Sequence, residues 1–523
     1  MIVDKKSENT KRIAKNTLVL YFRMLFLMLI SLYTSRVILD ALGVEDYGIY
    51  IVVGGFVSLF ALISAALTGA SSRFLNFEMG KADPLRQNVV FSTTLTIQFT
   101  LAIIVFVIAE VFGVWYVNNV MSLPADRIPA ANWCFQFSVF TFCMNLITVP
   151  YNASIIAHEK MAAFAYVSIF EGIAKLGISF LVYLNPFDRL VFYASMLLIV
   201  QCTVMCCYQL YCRRHFPECH FRSFFDKQLL RQMLSYSVWH LVGNGAAILK
   251  NQGVNMVLNV YFGPAVNAAR GIAMQINSAI TQFSNNFIIA MNPQITQSYA
   301  KGDLNYMLNL VYKGSRFSFY LLLVLSLPVI VNIHYLLTIW LKTVPENTSI
   351  FTQLSLVANI IYSLSSTLVT AQNSTGNVRN YQLIVGGITL LNLPVSYICL
   401  RLGCNSVSVF VVAVVIEFIA LFARLYMIPS TIREFKPYDY VKSVLLNCLI
   451  VTLVACPLPI ILQIIFEESF LTFVLNIAVT LIVSSLSIYY IGCSRSERMA
   501  ILSKIRPIIN KITKNKCCND DFS

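Results

Sequence analysis

The sequence has little charge for its length. Of 523 residues only 12% are charged, whereas 58% are hydrophobic, and the mean hydropathy is +0.71. An ordinary soluble domain carries about 25% charged residues and about 45–50% apolar residues. This composition argues against a set of soluble domains. It predicts an all-α integral membrane protein that has lipid as its main solvent.

The cysteines lack the pattern of a disulfide framework or a zinc site. There are 14 of them, and most lie inside apolar segments, where Cys behaves as a small hydrophobic residue. Cys212 and Cys219, with His215 and His220, superficially resemble metal ligands. They lie on a short basic loop, however, and their spacing is not that of an established zinc site. We therefore expect no disulfides, no metal and no cofactor.

The sequence contains instead a series of apolar stretches, each long enough to cross about 30 Å of hydrocarbon. Bounded by charged or turn residues, they are 16–38, 48–70, 88–112, 131–152, 163–183, 189–211, 234–260, 266–290, 314–340, 350–370, 381–400, 407–427, 443–466 and 470–492. The pattern predicts about fourteen transmembrane helices, with a polar break from Cys212 to Gln232 after the sixth.

The basic residues predict the orientation of these spans. If Arg189 and Arg316, which stand at the very start of their spans, are counted with the loops before them, one side of the layout has 28 of the 38 Lys and Arg residues, and six lie within spans. The other side has only Arg127, Arg189, Lys342 and Arg401. Because basic residues collect on cytoplasmic loops, both termini are predicted to be cytoplasmic. The same rule accounts for the net charge of +14, so this charge does not indicate a nucleic-acid partner.

Two glycine turns at corresponding positions indicate an internal repeat. A shift of 220 residues maps Gly43 onto Gly263 and brings Met79-Gly80-Lys81 near Ala300-Lys301-Gly302. Because six spans is an even number, both copies have the same orientation, and a pseudo-twofold axis along the membrane normal relates them. The predicted parts are a six-helix lobe at 1–211, a cytoplasmic linker at 212–232, a second six-helix lobe at 233–427, two extra helices at 428–492 and a basic cytoplasmic tail at 493–523.

Short segments of the first, second, seventh and eighth spans and of the loops beside them carry a family resemblance. They are Lys15–Leu18, Ser31–Arg36, Leu42–Tyr50, Val53–Gly55, Arg73-Phe74, Gly263–Ile272 and Asn292–Thr296. They resemble the oligosaccharide and polysaccharide flippases of bacterial envelope synthesis, the lipid-linked O-antigen type. These flippases belong to the multidrug, oligosaccharidyl-lipid and polysaccharide exporter (MOP) superfamily.

The resemblance implies a function in the bacterial inner membrane. Two six-helix lobes would open alternately to the two sides and move a polyprenyl-pyrophosphate-linked oligosaccharide to the outer leaflet. The product would serve surface polysaccharide or lipopolysaccharide synthesis. Spans nine to fourteen carry few specific motifs of the family, and the composition and length of the sugar stay open.

Charged residues within the predicted spans are mostly basic. The six cations are Arg23, Arg36, Lys175, Lys250, Arg270 and Arg424, against the acids Glu171 and Glu417 and the more marginal Glu110. An ionised Lys or Arg that faces lipid costs about 2.5–3.5 kcal/mol, so each should face a partner, a polar cavity or the interface. A pyrophosphate offers several negative charges and acceptors that suit the Arg fork.

We predict that Arg23, Lys250, Arg36 and Arg270 bind the substrate and that no residue is catalytic. Arg23 and Lys250 lie deepest, on the first and seventh spans, which hold equivalent positions in the two lobes and should surround one cavity. Arg36 and Arg270 lie near span ends, where extension toward the headgroups is an alternative.

The remaining span charges are predicted to have structural or coupling roles. Glu171 and Lys175 stand four residues apart in the favoured order, so an internal ion pair is the simplest interpretation. Glu417 and Arg424 form the second set. The sequence leaves the coupling ion and energy source open.

Three other functions compete with a flippase. A multidrug exporter of the same superfamily would present acidic residues to cationic drugs, and the excess of cations argues against it. A membrane polymerase or ligase would need a sizeable outer loop, whereas the longest runs only from about Gly113 to Ala130. A protein that served only as a membrane scaffold would have little reason to keep six cations in its spans, because each is costly in lipid.

Overall fold

A computed structural model describes residues 2–60, 84–158, 160–184, 188–221, 231, 250–375 and 379–499. Within these ranges the chain is helical and contains no β-strand. The main helices are α1 (Ile2–Ser58), α2 (Pro84–Ile108), α3 (Ile128–Ala157), α4 (Met161–Leu184), α5 (Arg189–His215), α6 (250–262), α7 (Pro264–Ala300), α8 (Leu304–Val331), α9 (Ile333–Trp340), α10 (Thr348–Ser363), α11 (Ser366–Ser374), α12 (Arg379–Arg401), α13 (Val407–Met427), α14 (Pro437–Ile465) and α15 (Phe470–Gly492).

The prediction of an all-α membrane protein is confirmed. Ten of the described helices are long and apolar enough to cross a bilayer, and there are eleven if α10 and α11, bent by 41°, are counted as one span. Each of the fourteen predicted spans coincides with helix in the described residues. The first two run through α1, which has a non-helical residue at Gly43, and the ninth is divided between α8 and α9. A count of fourteen is thus compatible with the helices seen.

Parts of several predictions lie outside the described residues. They are 61–70 of the second span, 234–249 of the seventh, 222–230 and 232 of the linker, 500–523 of the tail, and the segments Arg73-Phe74 and Met79-Gly80-Lys81. The two predicted lobes and their pseudo-twofold relation stay predictions.

The helices group into two compact units. Unit 1 comprises the described parts of Met1–Ile276, Leu337–Leu354 and Gln382–Ile416, and unit 2 those of Asn277–Leu336, Ser355–Tyr381 and Glu417–Ser523. One buried cluster of unit 1 joins α6 and α7 to α10, α12 and α13, with Phe351 stacked on Phe410 at 4.2 Å. The core of unit 2 packs α8 against α14 around Tyr320 and Tyr440. Large apolar side chains such as Phe418 and Leu453 stay exposed, as expected where lipid is the solvent.

Loops that the span layout assigns to one side meet at one end of unit 1. Arg127 donates from Nε to Asp46 Oδ1 at 2.8 Å and from Nη1 to Asp188 Oδ2 at 2.7 Å. Burial opposes ionisation of Asp188, but the hydrogen bonds from Arg127 and from the backbone N–H of Val191 hold its pKa below the usual value. These three residues come from the first, third and fifth connections, so they tie alternate loops together.

The intervening connections meet elsewhere in unit 1. Asn88 Nδ2 donates to the carbonyl oxygens of Glu218 and His220 at 2.9 and 2.7 Å. His158, between α3 and α4, lies 2.5 Å from the buried Glu218 carboxylate and stacks on Phe216. Even-numbered and odd-numbered connections therefore form separate clusters, as an alternating series of spans requires.

The two glycine-containing segments singled out in the sequence pack against each other. A Cβ on Gly48 would lie 1.9 Å from the backbone oxygen of Pro264, the first residue of α7. Gly43 and Gly263 have φ of 80° and 74°, a region that glycine enters without penalty. Close approach of α1 to the start of α7 therefore depends on the missing side chain at position 48.

Buried asparagines hold the same junction. Asn267 donates from Nδ2 to the backbone oxygen and Oδ1 of Asn255 at 2.8 and 2.9 Å, and Asn259 donates to Asn267 Oδ1 at 3.1 Å. Asn255 in turn donates to the Ile51 carbonyl of α1 at 3.3 Å. In a medium without water these amides satisfy one another, which explains polar residues in an apolar helix pair.

We predict that Gly48→Ala lowers the thermal stability of the detergent-solubilised protein by about 1–3 kcal/mol, because the new methyl group meets backbone rather than a mobile side chain. Gly54→Ala on the same helix is the control, since its Cβ would meet nothing within 4 Å. A helical Gly→Ala change there should raise stability by about 0.5–1 kcal/mol. Equal effects of the two changes would contradict this packing.

We also predict that Arg127→Gln destabilises the protein by about 1–3 kcal/mol, because it leaves the Asp46 and Asp188 carboxylates without their shared cation. Arg401→Gln, an exposed cation assigned to the same side, should change stability by less than about 0.5 kcal/mol. Thermal unfolding of both variants in one detergent gives the comparison. An Arg127 variant as stable as the Arg401 variant would exclude a structural role for this cluster.

Candidate functional site

One face of α1 lines a cavity inside unit 1. Arg23, Leu27, Ser31, Thr34 and Ile38 recur at intervals of three or four residues, so a single helix face presents them all. Tyr47 and Tyr50, which follow the break at Gly43 in the same helix, also line this cavity. The glycine break thus lets one segment of sequence supply two walls.

The cavity has a volume of about 380 Å³. We call it the Arg23 cavity and define it by its lining residues: Arg23, Leu27, Ile30, Ser31, Thr34, Ser35, Ile38, Tyr47, Tyr50, Ser168, Glu171, Gly172, Lys175 and Tyr193. These residues come from α1, α4 and α5. A Cβ on Gly172 would lie 2.6 Å from Leu27 Cδ2, so this glycine permits the close approach of α4 to α1.

Arg23 is half-buried, and its guanidinium lies over the ring of Phe164, 4.4 Å from the ring centroid. This cation–π contact stabilises a charge that would otherwise face apolar surroundings. The Nε atom is buried and makes no hydrogen bond within the described residues. Arg23 therefore lines the cavity and carries one buried donor that no described residue satisfies.

Glu171 and Lys175 form the predicted ion pair. Lys175 Nζ lies 2.5 Å from Glu171 Oε1, one turn apart on α4. Both residues line the cavity, and both side chains are partly exposed. Glu171 also lies within electrostatic range of Arg23. The described lining thus holds two cations against one carboxylate, a formal charge of +1.

Hydroxyl groups make up most of the remaining polar lining. Ser31, Thr34, Ser35 and Ser168 supply small donors and acceptors. The ring of Tyr50 packs edge-on against Tyr193, with centroids 5.2 Å apart. Several of these residues lie in the segments Ser31–Arg36 and Leu42–Tyr50 that carry the family resemblance, but the sequence did not predict them as binding residues, although the helical spacing of the hydroxyls from Arg23 carries a signal. Aromatic rings can pack against a sugar, and hydroxyl groups can donate hydrogen bonds to a sugar or to a phosphate.

The other three predicted binding cations do not line the Arg23 cavity. Arg36 Nη1 donates to the Ile339 carbonyl at 3.3 Å, and Arg270 is 8% exposed with Nη2 donating to the Asn251 carbonyl at 2.8 Å. Lys250 is half-buried where the described part of α6 begins. All four cations belong to unit 1, and their role in binding stays a prediction.

Asp40, on α1 three residues before Gly43, joins a cluster that the sequence did not reveal. Lys342 Nζ lies 2.5 Å from Asp40 Oδ2, and Tyr183 also donates to this oxygen. Nearby, Trp340 Nε1 donates to the Leu32 carbonyl at 2.8 Å. These contacts, with the Arg36 bond, fasten α1 to the segment that follows α8. The residues lie some 300 positions apart, and only their shared assignment to one side hinted at a contact.

Glu417 and Arg424 lie in unit 2. Arg424 is 4% exposed and donates from Nη1 to Ser365 Oγ at 2.9 Å, and the same nitrogen is 3.8 Å from Glu417 Oε2. The Arg424 guanidinium also lies 5.4 Å from the Tyr362 ring centroid. These contacts suit a buried structural pair, while a coupling role stays a prediction.

Comparison with known proteins finds similarity in structure. No protein-family model matches the chain, and no curated protein matches its sequence. The lipid II flippase MurJ, in an inward closed conformation, superposes with a TM-score of 0.66 at 12% identity, over 91% of this chain and 98% of that one.

Two MATE transporters are also similar. An inward-facing MATE family transporter of the MOP superfamily gives a TM-score of 0.64 at 11% identity, over 78% of this chain and 96% of that one. A mutant of the Vibrio cholerae MATE transporter VcmN gives 0.54 at 15% identity, over 83% and 99%. This chain is therefore a multi-pass membrane protein with the fold of MOP superfamily transporters.

Proposed function

We propose that this protein is a flippase that moves a polyprenyl-pyrophosphate-linked oligosaccharide from the cytoplasmic to the outer leaflet of the bacterial inner membrane. Alternating access shelters the polar headgroup, while the lipid tail stays in the bilayer. The protein changes no covalent bond and acts in surface polysaccharide or lipopolysaccharide synthesis. Both termini lie in the cytoplasm, as the distribution of Lys and Arg predicts.

The observation that carries this proposal is the Arg23 cavity. It places two cations, one carboxylate and a set of hydroxyl and tyrosine side chains among helices that cross the membrane. A diphosphate needs charged donors, and a sugar needs hydroxyls and aromatic faces. The structural likeness to a lipid II flippase supports a lipid-linked cargo.

The cluster around Asp40 supplies a barrier on the release route. With both termini in the cytoplasm, Asp40, Lys342 and Trp340 lie at the outer end of unit 1. There they connect α1 to α9 and to the segment after it. Release toward the outer leaflet requires these contacts to separate. Partly exposed ion pairs are weak enough to break and re-form during a transport cycle.

A multidrug exporter is the second candidate, because MATE transporters share the fold. Cationic drugs would favour an acidic cavity, whereas the Arg23 cavity has a formal charge of +1. Reconstituted protein that moves a cationic dye and leaves lipid-linked sugar in place would favour the exporter.

We predict that Arg23→Gln and Lys250→Gln each lower translocation of a lipid-linked oligosaccharide in proteoliposomes about tenfold or more. A charged contact to pyrophosphate contributes about 1.5–3 kcal/mol, and about 1.4 kcal/mol corresponds to a tenfold change in affinity. Gln keeps polarity and approximate length while it removes the charge. The loss of translocation should appear at low substrate concentration. No covalent intermediate should be found, because the protein changes no covalent bond.

Lys301→Gln is the control, because Lys301 is exposed in the turn between α7 and α8. Membrane abundance and thermal stability of all three variants separate loss of binding from loss of folding. If folded Arg23 and Lys250 variants, and their double mutant, transport like the wild type, these residues do not bind substrate.

A further inference from the structure

Among the described residues that line the Arg23 cavity, Glu171 is the one carboxylate, and an anionic ligand gains nothing from it directly. The cavity residues include two cations, Arg23 and Lys175, and otherwise hydroxyl, tyrosine, glycine and aliphatic side chains. A carboxylate in such a site repels phosphate. Its presence in the cavity therefore needs an explanation beyond ligand binding.

The surroundings of Glu171 contain few charges. Lys175 on the same helix lies 2.5 Å away, and Arg23 on α1 is within electrostatic range. From α5, Tyr208 faces both Glu171 and Arg23, and Ser168 lies one turn before Glu171 on α4. Tyr and Ser are neutral here, so Arg23 and Lys175 are the charges that Glu171 balances within the described cavity.

An empty cavity with two uncompensated cations would be costly in a membrane, where water and counter-ions screen poorly. Glu171 lowers that cost while no ligand is bound. Because both side chains of the pair are partly exposed to the cavity, an incoming ligand can reach Lys175 without unfolding the helix. A ligand can therefore separate this ion pair, whereas it could not reach a pair buried in the protein core.

We propose that Glu171 is a resident counter-ion, which occupies the Arg23 and Lys175 site in the empty cavity and is displaced when a diphosphate headgroup binds. The inference rests on the proposed function, since the displacing ligand is the diphosphate of the lipid-linked sugar. Displacement lowers the net affinity, and the return of the carboxylate promotes release. A transporter requires this balance, because a ligand held too tightly does not leave.

The experiment measures diphosphate affinity in the full-length protein in nanodiscs. Two probes are used, inorganic pyrophosphate and geranylgeranyl diphosphate, so that a free anion and a lipid headgroup are compared. We expect Glu171→Gln to bind both probes at least about fivefold more tightly than the wild type, because the competing anion is gone. Arg23→Gln should bind both more weakly.

Glu110→Gln is the matched control, because Glu110 is a second acid within a membrane span and does not line the Arg23 cavity. It should leave both affinities unchanged. Glu171→Ser, which gives a side chain like that of Ser168, is the second test variant. It keeps the measurement decisive if Glu171→Gln does not fold.

The outcomes separate the two proposals. If the wild type binds the diphosphates and the folded Glu171 variants bind them equally or more weakly, the counter-ion role of Glu171 is overturned. The proposed flippase function is not affected by that result. If the Glu171 variants bind the diphosphates more tightly and also transport more slowly at saturating lipid-linked sugar, the counter-ion role is supported. If neither the wild type nor any Glu171 variant binds either diphosphate, recognition of diphosphate is wrong and the counter-ion proposal falls with it.

Discussion

A cation within the bilayer must meet a polar or aromatic group, and this constraint decides much of the structure. Arg270 meets a backbone carbonyl of the preceding helix, and Arg36 meets one on α9. Arg424 meets a serine and, at longer range, a glutamate. The glutamate lies on the same helix as Arg424, but the two carbonyls and the serine belong to other parts of the fold, so the need to satisfy charge also fixes how the helices pack.

Arg23 meets the same constraint in a different way. Its guanidinium rests on Phe164 and faces a cavity rather than a carbonyl, and one of its nitrogens has no hydrogen-bond partner within the described chain. Together with Glu171 and Lys175 it makes a small site whose charges are close to balance. A site of this kind is stable when empty and can still accept an anion, which a fully paired core cation cannot do.

Much of the fold could be predicted from the sequence because hydrocarbon imposes a length on every span. The apolar stretches located the helices, and the break at Gly43 followed from its position between two of them. Glu171 and Lys175 could be paired because a helix fixes the distance between positions four residues apart. The distribution of Lys and Arg assigned the loops that contain Arg127 and Asp188 to the same side of the membrane, and the structure shows these two residues in contact.

The site could be predicted only in part, because side-chain direction depends on helices that are distant in sequence. Asp40 and Lys342 are 302 residues apart, and no local pattern links them. Arg270, like Arg23, was predicted to bind the substrate, yet packing against α6 gives it a backbone partner. The hydroxyl lining was missed because serine and threonine also satisfy their own helix backbone, and only the packed structure shows which face a cavity.

The most direct test of the account is an experimental structure of the protein with a polyprenyl-diphosphate sugar bound in nanodiscs. The account predicts the diphosphate within hydrogen-bonding distance of Arg23 and Lys175, with the Glu171 carboxylate turned away from Lys175. A headgroup bound elsewhere, with the Glu171–Lys175 pair intact and Arg23 still without a ligand, would contradict it.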